Sequence, residues 1–197
     1  MTGSRRLKNV SLVAAIMLSG LTLLAWTGQW YTLRLAGSDA GPTSLVVTGG
    51  VAAPGLIALA LAGLALVAAL AIAGPFFRAV LGVLQLFIGF TVALSSVLAV
   101  LDPVAASASA VTAATGVSGR ASVAALVESI SPSAWPWIGA AVGVLTIALG
   151  IFVLVTGRRW PGSSRKYQPV RFEPADPEAN AVSDWDTLSG GSDPTSR

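Results

Sequence analysis

Four stretches without a single charged side chain constrain this 197-residue sequence more than any other feature. The apolar runs inside them are Val10 to Trp26, Val51 to Ala73, Ala79 to Leu101 and Trp135 to Thr156. A helix that crosses about 30 Å of hydrocarbon, at roughly 1.5 Å per residue, needs about 20 mostly apolar residues. The last three runs meet that length, and the first meets it with Trp26 to Trp30 lying in the interface. Charged residues make up only 11% of the chain, against about 25% in soluble domains, too few to keep a globule dispersed in water. The expected fold is an all-α membrane protein with four transmembrane helices in an antiparallel bundle. Its spans are placed at 10–28, 51–73, 79–101 and 135–156, with a basic N-terminus at 1–9 and outer loops at 29–50 and 102–134.

Arg5, Arg6 and Lys8 ahead of the first run resemble the start of a signal peptide. No A-x-A-like site follows, only Thr27-Gly28-Gln29-Trp30, so an uncleaved first helix is expected. Orientation follows from the excess of Lys and Arg in cytoplasmic flanks. With both termini inside, the inner flanks up to Arg171 receive nine basic residues, among them Arg5, Arg6, Arg78, Arg158 and Arg159, while the outer side receives Arg34 and Arg120 alone. That distribution predicts a multi-pass plasma-membrane protein with the lipid bilayer as its solvent. Trp26, Trp30, Trp135 and Trp137 at the outer boundary and Trp160 at the inner one read as interface anchors.

Gly74-Pro75-Phe76-Phe77-Arg78 is too short for anything but a helical hairpin, which makes the second and third helices neighbours. Pro54, near the first turn of the second span, is not expected to kink it. In the first outer loop, Gln29 to Leu35 and Ser44 to Thr48 are β-prone and flank the turn-rich Gly37 to Pro42, the pattern of a small extracytoplasmic hairpin. In the second, Ala121 to Ile130 places Val123, Leu126, Val127 and Ile130 on one helical face, with Pro132 as its stop.

Beyond Thr156 a basic juxtamembrane segment, 157–171, is followed by a tail, 172–197, with six acidic residues against one basic. Such composition predicts disorder. Within it Trp185, Asp186 and Leu188 have no core to enter, and they read as a short motif for a cytoplasmic protein partner. The net charge of +3 thus divides into a basic body and an acidic tail; it reflects topology and gives no reason to expect nucleic-acid binding.

The chain has no Cys and no His, which removes disulfides, thiolate or imidazole metal sites, Cys nucleophiles and Ser-His-Asp triads. No charged side chain falls within the four spans, where ionisable groups mark ion and substrate paths. Catalytic residues, metal and cofactors are accordingly not expected. Gln85, inside the third span, is the most unusual polar residue there, and it reads as interhelical glue or the lining of a small cavity. Gly139 and Gly143 form a GxxxG, Gly82 and Gly89 lie a heptad apart, and Ala58, Ala62, Ala65 and Ala69 form a small-residue stripe. Such surfaces permit close packing within the chain or in a homo-oligomer.

Several short motifs, in order, carry a family resemblance. They are the first helix ending in Trp26, Val47-Thr48-Gly49-Gly50-Val51-Ala52-Ala53-Pro54, Trp135-Pro136-Trp137, Gly157-Arg158-Arg159-Trp160-Pro161, and Trp185-Asp186-Thr187-Leu188-Ser189 with Asp193-Pro194-Thr195. The chain resembles the small actinobacterial membrane proteins associated with tryptophan biosynthesis and encoded in or beside the tryptophan operon. Gly190, Gly191 and Ser192 stand where that family usually has charged residues. The resemblance implies a link to tryptophan metabolism and lends no catalytic residue. The leading expectation is a non-enzymatic membrane accessory or scaffold; the alternative is a small carrier or export component for tryptophan or a related aromatic metabolite.

Overall fold

A computed structural model describes residues 2–38, 41–157, 160 and 190. The chain divides into two compact units, Met1–Ser163 and Ser164–Arg197, and every described element lies in the first. The order is α1 (Thr2–Thr27), β1 (Gln29–Ser38), β2 (Gly41–Thr48), α2 (Gly49–Ala52), α3 (Leu56–Ile72), α4 (Pro75–Leu101), α5 (Pro103–Thr115), α6 (Arg120–Leu126), β3 (Val127–Pro132) and α7 (Trp135–Thr156). Among the described residues, three helices are long and apolar enough to cross a membrane: Arg5–Thr27 within α1, α4 and α7.

The second expected span differs from its prediction. Its helix is broken, with α2 ending at Ala52 and the 17-residue α3 starting at Leu56. Pro54 is the cause, because it has no N–H to give the Gly50 carbonyl four residues back. The Leu56 N–H turns instead to the Ala53 carbonyl, at 3.1 Å. The third span starts earlier than expected, with Pro75 in the first turn of α4, so only Ala73 and Gly74 remain as the turn between α3 and α4.

On α4 and α7 most large apolar side chains face outward and the small ones inward, unlike a soluble bundle. On α4, Val83, Phe87, Phe90, Leu94 and Leu98 are exposed while Gly82, Gln85, Gly89, Val92, Ser96 and Ala99 are buried. In lipid there is no hydrophobic gain from hiding Leu or Phe between helices, and close backbone packing is the main attraction left. The inward faces of α4 and α7 each repeat with a spacing of three and four residues, and the helices run antiparallel. A Cβ placed on Gly89 would lie 2.6 Å from the Ile147 backbone nitrogen, one on Gly150 3.0 Å from that of Leu86, and one on Gly143 would meet the Ala93 backbone still closer. The GxxxG and the glycine heptad are therefore consumed within one chain. On α3, by contrast, Ala58, Ala62 and Ala65 face outward.

The anticipated hairpin is present and gains a third strand, in the order β2-β1-β3. Its pairing sets Tyr31 opposite Val47 and Leu33 opposite Leu45, and β3 adds Leu33 opposite Ile130. The helix expected over Ala121 to Ile130 stops at Leu126 because the following residues pair with β1. A lone hairpin is marginal in water, and this sheet is stabilised by turning Tyr31, Leu33, Leu35 and Val47 into the core. The remainder of the second loop forms α5 and α6, whose Val111 and Val123 join the same core. Asp102 caps α5 by accepting the Ala105 N–H at 3.0 Å, and Gly116 ends it in a left-handed conformation.

A methyl group added at the α4–α7 seam should have no room to settle. Gly143→Ala is expected to destabilise the protein by about 1–3 kcal/mol, the usual cost of overpacking. Gly20→Ala, at a position with nothing within 4 Å, should be neutral or slightly stabilising. Unfolding in mixed detergent and dodecyl sulfate micelles measures both; equal effects would remove the seam from the account.

Candidate functional site

Three clusters bring together the residues that the sequence singles out. The first lies where α1 meets the sheet. A register shift between Gln29 and Tyr31 turns two consecutive side chains inward, as a β-bulge does. Trp30 is consequently fully buried, and its indole N–H donates to the Ala25 carbonyl at 2.7 Å. This corrects its expected role, since Trp30 is a core residue and not an interface anchor. Glycines give the indoles their space. A Cβ on Gly49 would lie 2.6 Å from the Trp30 Nε1, one on Gly28 would enter the Trp135 ring, and one on Gly50 would touch Trp26. Trp26 and Trp135 are half-buried, and Trp137 is 62% exposed.

Tyr31 ties the sheet to the helices. Its hydroxyl donates to the Ala99 carbonyl at 2.8 Å near the end of α4, one of the last-turn carbonyls that lack a helical partner. Burial raises the phenol pKa above its ordinary value, because the charged form loses its hydration.

At the opposite end of the bundle, Arg78 is only 2% exposed. The sequence counts it among the determinants of topology, and the structure shows it buried in the fold. Its Nη1 donates to the carbonyls of Gly157 and Trp160 at 3.2 Å each, and the guanidinium stacks on the Trp160 ring 5.5 Å from its centroid. A cation at the carboxyl end of α7 meets both its orphan carbonyls and the negative end of its dipole. Trp160 is accordingly buried beneath Arg78, a correction to its expected role as an inner interface anchor. Lys8 does the same for α3, donating to the Ala71 carbonyl at 2.6 Å. Arg5 and Arg6 are exposed near this end.

The third cluster is the intramembrane polar set. Gln85 is 2% exposed on the α4 face that meets α7, and its Oε1 has no partner among the described residues; the Ser96 hydroxyl shares that condition. Thr146 satisfies itself locally, donating to the Val142 carbonyl at 2.8 Å. Gln85 therefore does not act as glue through its oxygen. Trp185, Asp186, Leu188, Arg158 and Arg159 lie outside the described residues.

The bonding partners of Tyr31 and Asp102, and the lack of one for the Ser96 hydroxyl among the described residues, were not legible in the sequence. Only Asp102 carried a local signal, an Asp directly before a proline in the first helical turn. Among the described residues, no three of His, Cys, Asp and Glu gather into a metal-binding group.

The Tyr31 bond has a pH signature. Because the folded-state pKa is raised, its stabilisation is complete below the unfolded phenol value of about 10 and is lost as pH rises through the folded value. Tyr31→Phe should cost about 1 kcal/mol at neutral pH and should flatten the alkaline loss of stability between pH 9 and 12. Unfolding midpoints across that range measure it; an unchanged alkaline limb in the variant would detach Tyr31 from the effect.

No curated protein and no solved structure matches the chain at a significant level. A family described as tryptophan-associated transmembrane protein matches residues 12–195, a span that includes the tryptophan–glycine junction, the Arg78 cap and the tail motif. The chain therefore belongs to the tryptophan-associated transmembrane protein family.

Proposed function

We propose that this chain is a non-enzymatic, four-pass accessory or scaffold protein of the plasma membrane, with both termini cytoplasmic, that serves tryptophan metabolism by holding a protein partner through its C-terminal tail. The observation that carries this reading is the α4–α7 seam. Glycine against backbone at Gly89, Gly143 and Gly150 leaves no passage between these helices for an aromatic solute, which favours a scaffold over a carrier.

The fourth pass is α3. Its 17 residues rise about 25 Å, and α2 with the Pro54 break supplies the remaining length. The orientation is supported by Arg5, Arg6, Lys8 and Arg78 at the end opposite the sheet, while Arg34 and Arg120 share the sheet end. Trp185, Asp186 and Leu188 are the residues assigned to the partner.

Two experiments test these parts. The chain contains no cysteine, so single cysteines can be introduced on a clean background. Ser44→Cys should react with an impermeant maleimide on intact cells, and Ser192→Cys only after permeabilisation; the opposite pattern would reverse the orientation. Separately, deleting residues 172–197 should abolish co-purification of a cytoplasmic protein captured from native membranes while leaving the chain in the membrane fraction. Retention of every partner by the truncated chain would end the scaffold reading.

A further inference from the structure

The break in the second apolar segment opens a cavity. A space of about 380 Å³ is lined by Ala52, Ala53, Pro54 and Gly55 at the break, by Ser95, Leu98, Ala99 and Asp102 at the end of α4, and by Ala105 and Ala106 of α5. Its size falls within the range of about 300–1,000 Å³ for small-molecule sites.

The polar groups here are chiefly acceptors. Pro54 cannot serve the Gly50 carbonyl, and the Leu56 N–H has moved from Ala52 to Ala53, so the helical ladder is interrupted across Gly50–Ala52. Broken backbone at membrane depth is tolerated where it lines a cavity or is buried in protein. The α4 helix points its negative carboxyl end at the same space, where the positive amino end of α5, capped by Asp102, also lies. Asp102 adds a carboxylate with about four lone-pair sites, of which Ala105 N–H and Arg120 Nη2 take one each. Arg120 is not among the lining residues, and its side chain is 78% exposed, so it meets the carboxylate from the solvent side. The walls are otherwise alanine and leucine, and the space is much too large for a bare ion.

We propose that this cavity binds a small amphipathic amine, with its ammonium held by the Asp102 carboxylate, the Ser95 hydroxyl and the Ala52 carbonyl freed at the Pro54 break, and its apolar body against Leu98 and the alanines. The site lies within the first unit and does not depend on the scaffold reading. It gives the sheet end of the protein a ligand of its own.

The test uses the full chain in phosphatidylcholine nanodiscs, with empty nanodiscs as the partition control. Tryptamine is the probe, and indole-3-propionate, which carries a carboxylate on the same ring, is the counter-probe. Calorimetric titration should show saturable tryptamine binding at least tenfold tighter than that of the carboxylate. Asp102→Asn should weaken tryptamine by about tenfold or more, the effect of losing a charge-assisted hydrogen bond. The fold should survive, because Asn caps a helix as well as Asp and an exposed ion pair contributes little. Ala106→Leu, which fills the cavity from α5, should abolish binding with the melting temperature retained. Absence of saturable tryptamine binding at millimolar concentration, equal binding of the two probes, or full affinity in both folded variants would overturn the proposal.

Discussion

Close backbone contact between α4 and α7 is the constraint from which the remaining architecture follows. Lipid removes the incentive to bury leucine and phenylalanine, so two transmembrane helices gain most by bringing their backbones together. Glycine is the residue that permits this. Gly82, Gly89, Gly143 and Gly150 lie on the facing stripes, and each site for a Cβ there is already occupied by the partner helix. The bulky residues are thereby displaced to the lipid side, where Phe87 and Phe90 stand exposed. A bundle held in this way is tight at its centre, and it requires other means to secure its ends.

Those means are polar, and they differ between the two ends. At one end Lys8 and Arg78 donate to the last carbonyls of α3 and α7. Each combines a positive charge with donors where a helix carries negative partial charge and unpaired acceptors. At the other end the carbonyl of Ala99 is met by the Tyr31 hydroxyl, and a three-stranded sheet covers the helix ends. The basic residues of the first end differ in placement, since Arg5 and Arg6 remain exposed whereas Arg78 is withdrawn to hold α7.

The helices were readable because their signal is length and the absence of charge, both local properties. The Trp135–Thr156 helix matches its expected limits, and the strands of the hairpin begin and end close to their predicted positions. What escaped depends on contacts distant in sequence. Val127 to Pro132 forms a strand only because β1, roughly a hundred residues earlier, offers it an edge. Trp30 points inward because of a bulge in pairing that its own neighbours do not reveal. Pro54 lies close enough to a helix start to look harmless, and its effect emerges only from which carbonyl the Leu56 N–H chooses. Of the candidate site residues, Gln85 was recognisable from its polarity in an apolar span, but its unpartnered oxygen was not.

Among the described residues, the motifs that carry the family resemblance make the close contacts of the fold. Gly28 accommodates Trp135, Gly49 and Gly50 accommodate Trp30 and Trp26, and Gly157 and Trp160 receive Arg78. Those of the motifs that lie among the described residues are thereby accounted for by packing or helix capping. A match along residues 12–195 consequently speaks first to a shared fold, and the chemistry that distinguishes the protein belongs to groups those contacts do not use. The Asp102 carboxylate does hold a structural bond, as the cap of α5, yet it also borders an open cavity. The carbonyls at the Pro54 break have a similar double character, since the same proline that belongs to a family motif removes their helical partners. The recognisable sequence thus builds the frame, and at Pro54 it also leaves hydrogen-bonding capacity beside an open space.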